Sequence, residues 1–128
     1  MQPATVMINK RIFSVAATFA IVAAPQAMAI SACEQSFREA YVAYPSLEKP
    51  SPAIKEAYEV YAIYSDYSNG LKEAYGDAQN LFRSLRVDAH DEDSVLNDLV
   101  SKMRSGQLCS STNQPLSFSD IVKRLKNQ

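Results

Sequence analysis

Residues 51–86 read SPAIKEAYEVYAIYSDYSNGLKEAYGDAQNLFRSLR. Within them Ile54, Ala57, Tyr61, Tyr64, Ser68, Leu71, Tyr75, Ala78, Phe82 and Leu85 step by three and four, which is the seam of an amphipathic helix. Ser51 is suited to cap its start, and Pro52 is pre-set for the first helical position. A continuous helix of this length would be a rod of about 50 Å, at about 1.5 Å per residue. Such a rod needs packing along its length, and the remaining periodic segments supply it. Asn69-Gly70 is the weak point, since that dipeptide signals a turn and glycine costs about 1 kcal/mol inside a helix. The three-four stepping runs on past it, so the reading favours one continuous or kinked helix over a hairpin of two.

Tyr58, Tyr61, Tyr64 and Tyr67 recur every three residues and so spiral around the helix. With the seam centred between Tyr61 and Tyr64, Tyr58 and Tyr67 fall about 90° to either side. There a phenol buries its ring and keeps its hydroxyl wet. Two readings follow. Either flanking helices of the same chain cover both edges, or the two rings meet a protein partner, for tyrosine is enriched at interfaces.

The start of the chain reads as an address. Lys10 and Arg11 precede an uncharged run from Ile12 to Ala24, followed by Pro25, Gln26 and the small-residue site Ala27-Met28-Ala29. This is the pattern of a secretory signal peptide over residues 1–29, and its apolar run is shorter than the roughly 20 residues a membrane span needs. The expectation is a single domain over 30–128, exported to a periplasm, with no transmembrane span once the signal is cleaved. Two of the 13 Lys and Arg lie in the leader, so the mature chain carries 13 − 2 = 11 cations against 14 Asp and Glu, a net charge of −3. That balance argues against a nucleic-acid partner, which requires a basic face.

Two cysteines, Cys33 and Cys109, remain after export. In an oxidising compartment the plain reading is one disulfide, which suits a domain too small to bury a large core. Closing that loop constrains the unfolded chain by roughly 4.5 kcal/mol on the entropy model. Ile30-Ser31-Ala32-Cys33 also resembles the acylation box of a bacterial lipoprotein. Pro25-Gln26 interrupts the apolar run well before Cys33, and acylation would leave Cys109 as a lone exported thiol, so the disulfide is the favoured reading.

In chain order, Ser31 and Glu34 form a capping box for a first helix carrying Cys33, Phe37, Ala40, Tyr41 and Tyr44 and ending before Pro45. The proline-rich run from Pro45 to Pro52 reads as an extended connector. After the long helix comes Asp88-Ala89-His90-Asp91-Glu92-Asp93, the one charge run. A metal site is the sharper reading of His among carboxylates. The run lacks a second His and the glycine of a calcium loop, and acids that cap the next helix and favour its dipole are the preferred reading. That helix points Val95, Leu96, Leu99, Val100 and Met103 inward and stops at Gly106. A polar loop follows Cys109, and a last helix from Ser117 presents Phe118, Ile121, Val122 and Leu125. The predicted fold is all-α: a small four-helix domain, or one long helix plus three, with one disulfide. No nucleophile elbow, phosphate loop or Cys-X-X-Cys occurs, so the expectation is a binding protein, not an enzyme, with no cofactor and no metal.

Around the first cysteine, Cys33-Glu34 with Phe37 resembles the Cys-Glu-x-Phe start of the HdeA/HdeB acid-stress chaperones of the Gram-negative periplasm. After the second, Phe118-Ser119-Asp120-Ile121-Val122-Lys123 is similar to that family's Phe-x-Asp-x-Val-Lys, although the segment between the cysteines is longer here. The resemblance implies a small homodimer, inactive near neutral pH, that opens in acid and holds denatured clients on exposed apolar surface. The competing class is a dedicated interaction protein, either an immunity protein against a secreted toxin or an accessory of a secretion or conjugation system. Tyr58 and Tyr67 would then be its partner-binding anchors.

Overall fold

The computed structural model describes residues 30–126, so the leader and cleavage site read at 1–29 lie outside the described residues. Six α-helices follow in order: α1 (Ala32–Ala43), α2 (Pro52–Ser68), α3 (Glu73–Asp77), α4 (Gln79–Leu85), α5 (Glu92–Arg104) and α6 (Phe118–Lys126). The all-α class is as expected, and among the described residues the only β feature is an isolated bridge between Cys109 and Pro115.

Local chemistry sets the helix ends. The Ser31 hydroxyl accepts from the Glu34 N–H at 3.0 Å at the start of α1, and the Ser51 hydroxyl accepts from Ile54 N–H at 3.2 Å at the start of α2. A 3₁₀ turn at Tyr44–Ser46, with Pro45 in its first positions, ends α1. At the start of α6 the Ser117 hydroxyl accepts from the Asp120 N–H.

The long seam breaks, contrary to the continuous helix favoured from the stepping. Asn69 caps α2, and Gly70 takes a left-handed φ of +72°. The Gly70 N–H then donates to the Tyr67 carbonyl at 3.0 Å, and the Leu71 N–H to the Asp66 carbonyl at 2.9 Å. This pair of bonds is the Schellman closure, which satisfies the last carbonyls of α2 and turns the chain back. Beyond the turn the buried face shifts. Ser68 and Leu71, both on the predicted seam, are exposed, and Ala74, Ala78, Leu81 and Phe82 enter the core. Helices α3 and α4 are two arms of one bent segment, because Ala78 ends the first and starts the second, its N–H donating back to Ala74 and its carbonyl accepting from Phe82. The 51–86 stretch is therefore an αα-hairpin.

The core gathers the inward faces of all the longer helices. Phe37 of α1, Leu96, Leu99 and Met103 of α5 and Leu108 of the following loop are fully buried. Tyr61 and Tyr64 of α2 and Ile121, Val122 and Leu125 of α6 join them, while Val100 is only half-buried. Cys33 and Cys109 are bonded, with their Cα atoms 5.8 Å apart, and tie α1 to the loop that precedes α6. Gly106 ends α5 in the left-handed region, and a Cβ there would lie 3.9 Å from the Cys33 Cβ, so the turn also seats the chain beside the disulfide.

Candidate functional site

Helix α2 carries most of the polar and aromatic chemistry of the fold. All seven tyrosines of the chain make ring contacts. Five of them form a ladder across the α1–α2 interface. Tyr44 stacks on Tyr58 at 4.5 Å, Tyr58 on Tyr41 at 5.1 Å, and the series continues through Tyr61 to Tyr64. The remaining two, Tyr67 and Tyr75, meet edge to face at 6.2 Å.

The two candidate anchors are thus kept apart. Nine residues of helix place Tyr58 and Tyr67 on opposite sides of α2. Tyr58 is half-buried between the rings of Tyr41 and Tyr44. Tyr67, also half-buried, donates its hydroxyl to Asp93 of α5 at 3.3 Å, and Tyr75 donates to the same carboxylate. Burial, then Asp93, pushes the Tyr67 hydroxyl above its usual value, and the bond to Asp93 pushes Tyr75 up to about 12.

At the buried end of the ladder is a short polar relay. Tyr64 donates its hydroxyl to the carboxylate of Glu34 at 2.8 Å, and the Arg104 Nε–H donates to the same hydroxyl oxygen at 3.2 Å. Glu34 is the one buried charged residue among the described residues. Burial is the main cause of a raised Tyr64 hydroxyl, with Arg104 acting downward and Glu34 upward. The sequence reading gave Glu34 a local capping role; its side chain instead crosses to α2. Its place on one α1 face with Cys33 and Phe37 was the available signal for an inward carboxylate.

Two further carboxylates bridge helices. Glu56 of α2 accepts from the Phe118 N–H at 2.9 Å, which sets a negative charge at the N-terminus of α6. Asp66 near the end of α2 meets Asp77 of α3 across the hairpin. The hydrogen bond that the protonated Asp66 carboxyl donates to Asp77, with burial and the neighbouring charge, raises Asp66 to about 6. Neither pairing follows from the periodicity, because the first depends on how α6 docks on α2 and the second on how the chain folds back at Gly70.

The 88–93 run forms a 3₁₀ turn at Ala89–Asp91 and the first turn of α5. Asp91 makes no side-chain cap there, so its expected capping is corrected: Glu92 and Asp93 lie at the dipole's positive end, and Asp93 is drawn to the tyrosines. Asp88, His90 and Asp91 each bring a ligand atom within 4.8 Å of the others, all on exposed side chains.

The surface carries two openings of note. One, of about 380 Å³, lies between α1 and α2 and is lined largely by alanines, among them Ala40, Ala43 and Ala57. The other is a groove between α2 and α4 that includes Tyr58 and Phe118. No helix among the described residues is long and apolar enough to cross a membrane. No family model, curated protein or solved structure matches the chain.

Proposed function

We propose that the chain is a small exported binding protein whose fold loosens in acid and then holds denatured clients, in the manner of the HdeA/HdeB chaperones its cysteine-flanking residues resemble. One observation carries the reading: with each of α1, α5 and α6, helix α2 makes a hydrogen bond that ends on a carboxylate. Tyr64 donates to Glu34, Tyr67 to Asp93, and the Phe118 N–H to Glu56. A charge-assisted hydrogen bond is roughly twice as strong as a neutral one, so protonating these three acids weakens three interfaces of the central helix together. The ion pair of Lys102 with Asp98, at 2.7 Å, is lost with them.

The charge balance pushes the same way. In strong acid the 14 carboxylates are neutral while 11 Lys and Arg and the single His90 stay positive, which takes the mature chain from −3 to 11 + 1 = +12. The disulfide does not respond to acid, so Cys33 and Cys109 keep α1 attached to the loop before α6 while the helices part. The test is suppression of a generic client's aggregation as pH falls below about 4, where Asp and Glu lose charge, together with dye binding and loss of the near-UV signal. Sedimentation at neutral and acid pH tests the implied homodimer. A retained near-UV signal and unchanged client aggregation at about pH 2 to 3 would overturn the reading.

The second reading, a dedicated periplasmic interaction protein, is favoured by the Tyr58 ring, which is held rigidly by its stacking partners and opens onto a surface groove. It is tested by capture of one target at neutral pH and by loss of that binding in Tyr58→Ala.

A further inference from the structure

We propose that the groove between α2 and α4 seats a lysine or arginine side chain from a basic segment of a protein partner. The groove is built from two adjoining clefts of about 260 and 290 Å³ that share Glu59, Asn80 and Phe118. Its apolar lining comes from Ala62, Ile63 and Leu81, of which the last two are core residues. Tyr58 and Phe118 add two aromatic rings. Around them are the carboxylates of Glu56, Glu59 and Asp77, against one cation, Arg83, whose guanidinium is already bonded to the Asn80 side chain.

This combination matches the chemistry of one occupant. A lysine or arginine carries an apolar stem that lies along apolar surface and a charged head that seeks carboxylates. Aromatic rings beside the head add cation–π attraction. None of the ion pairs among the described residues engages Glu56, Glu59 or Asp77, and Arg83, the one cation in the lining, is bonded to Asn80. The raised Asp66 carboxyl reflects the same shortage, since Asp77 meets another acid where a cation would relieve it. An acidic segment or a nucleic acid would be repelled by the same groups. The groove belongs to the closed, neutral-pH fold, so the proposal stands whether or not acid opens the molecule.

The experiment titrates the mature protein with acetyl-hexalysine-amide at neutral pH and follows the ring resonances of Tyr58 and Phe118 and the Ala62 methyl by NMR, with acetyl-hexaglutamate-amide as the control. The proposal expects these groups to shift with hexalysine alone, and this mapping needs no variant. It expects Glu59→Gln combined with Asp77→Asn to weaken binding about tenfold, as removal of two exposed charge partners should. Asp88→Asn combined with Asp91→Asn, in the other acidic region, should leave the affinity unchanged. Shifts centred on residues 88–93, equal losses in the two double variants, or no shift at Tyr58 would each overturn it. So would a self-association that hexalysine competes away, which would assign the groove to a second copy of the chain.

Discussion

The two interfaces that α2 makes with its neighbours in sequence are built on opposite plans. Against α1 it sets large rings, and the interface ends at a buried carboxylate, Glu34, that accepts from Tyr64. Against α3 and α4 it sets a tight turn and small side chains, with Ala74 and Ala78 fully buried, and the interface ends at two acids, Asp66 and Asp77. Acid acts on them with opposite sign. Protonation removes the charge that strengthens the Glu34 bond, whereas it supplies the proton that lets Asp66 and Asp77 share one. A single helix can thus release one neighbour while keeping the other, and if acid opens the fold as proposed, the α2–α3 hairpin is expected to be the part that survives.

The comparison can be broken most forcefully at Tyr64. Tyr64→Ala removes a buried ring from the ladder and should cost about 3 kcal/mol or more in chemical unfolding. Lys55→Ala, on the exposed face of the same helix, should stay within about 0.5 kcal/mol. Equal effects would mean the ladder does not hold α1 to α2. Tyr64→Phe is finer, because it keeps the ring and strands the Glu34 carboxylate. It should cost about 1–3 kcal/mol at neutral pH. The gap from wild type should narrow in acid, where a carboxyl that has lost its charge is less costly to leave buried without a donor.

On the hairpin side, Gly70→Ala tests the turn itself. No atom lies within 4 Å of the added Cβ, so any loss is the cost of a left-handed backbone, about 1–2 kcal/mol. A neutral result would show that the turn is set by its flanks. The smallest effect belongs to Asp77→Asn. Asp66 is raised from 3.8 to about 6 in the folded chain, so its contribution is complete below pH 3.8 and is lost as pH rises through about 6. Removing Asp77 should flatten stability over that window and raise it at pH 7 by less than about 1 kcal/mol, since Asp66 is partly solvated. If the slope between those pH values is unchanged, the two acids do not share a proton.

Much of this was legible in residue order. Ser31, Ser51 and Ser117 announced helix starts, Gly106 a stop, and the apolar steps of α1, α5 and α6 named the buried apolar residues of those helices, because caps and periodicity are local properties of backbone and side chain. The pairing of Cys33 with Cys109 was legible too, from their number and the export that the leader pattern suggests. At Asn69-Gly70 the local signals conflict: the stepping beyond the glycine reads as one continuous face, yet it belongs to a returning arm. Leu71 reads as seam and is exposed; Ala74 reads as spacer and is fully buried. Glu56, Asp66 and Asp77 look in sequence like any solvated acids, and the face shared with Cys33 and Phe37 tells which way Glu34 points but not what it meets. Their partners lie 30, 62 and 11 residues away, and only the folding back at Gly70 and the docking of α1, α5 and α6 on α2 bring them within reach. Residue order alone specifies the helical class and the helix starts, since these depend on neighbours a few residues apart, and the staple, since two cysteines allow a single pairing. The tertiary structure alone decided which carboxylates face which donors, because hydrogen bonds and proton sharing act over a few ångströms, and periodicity cannot specify that separation between distant parts of a chain.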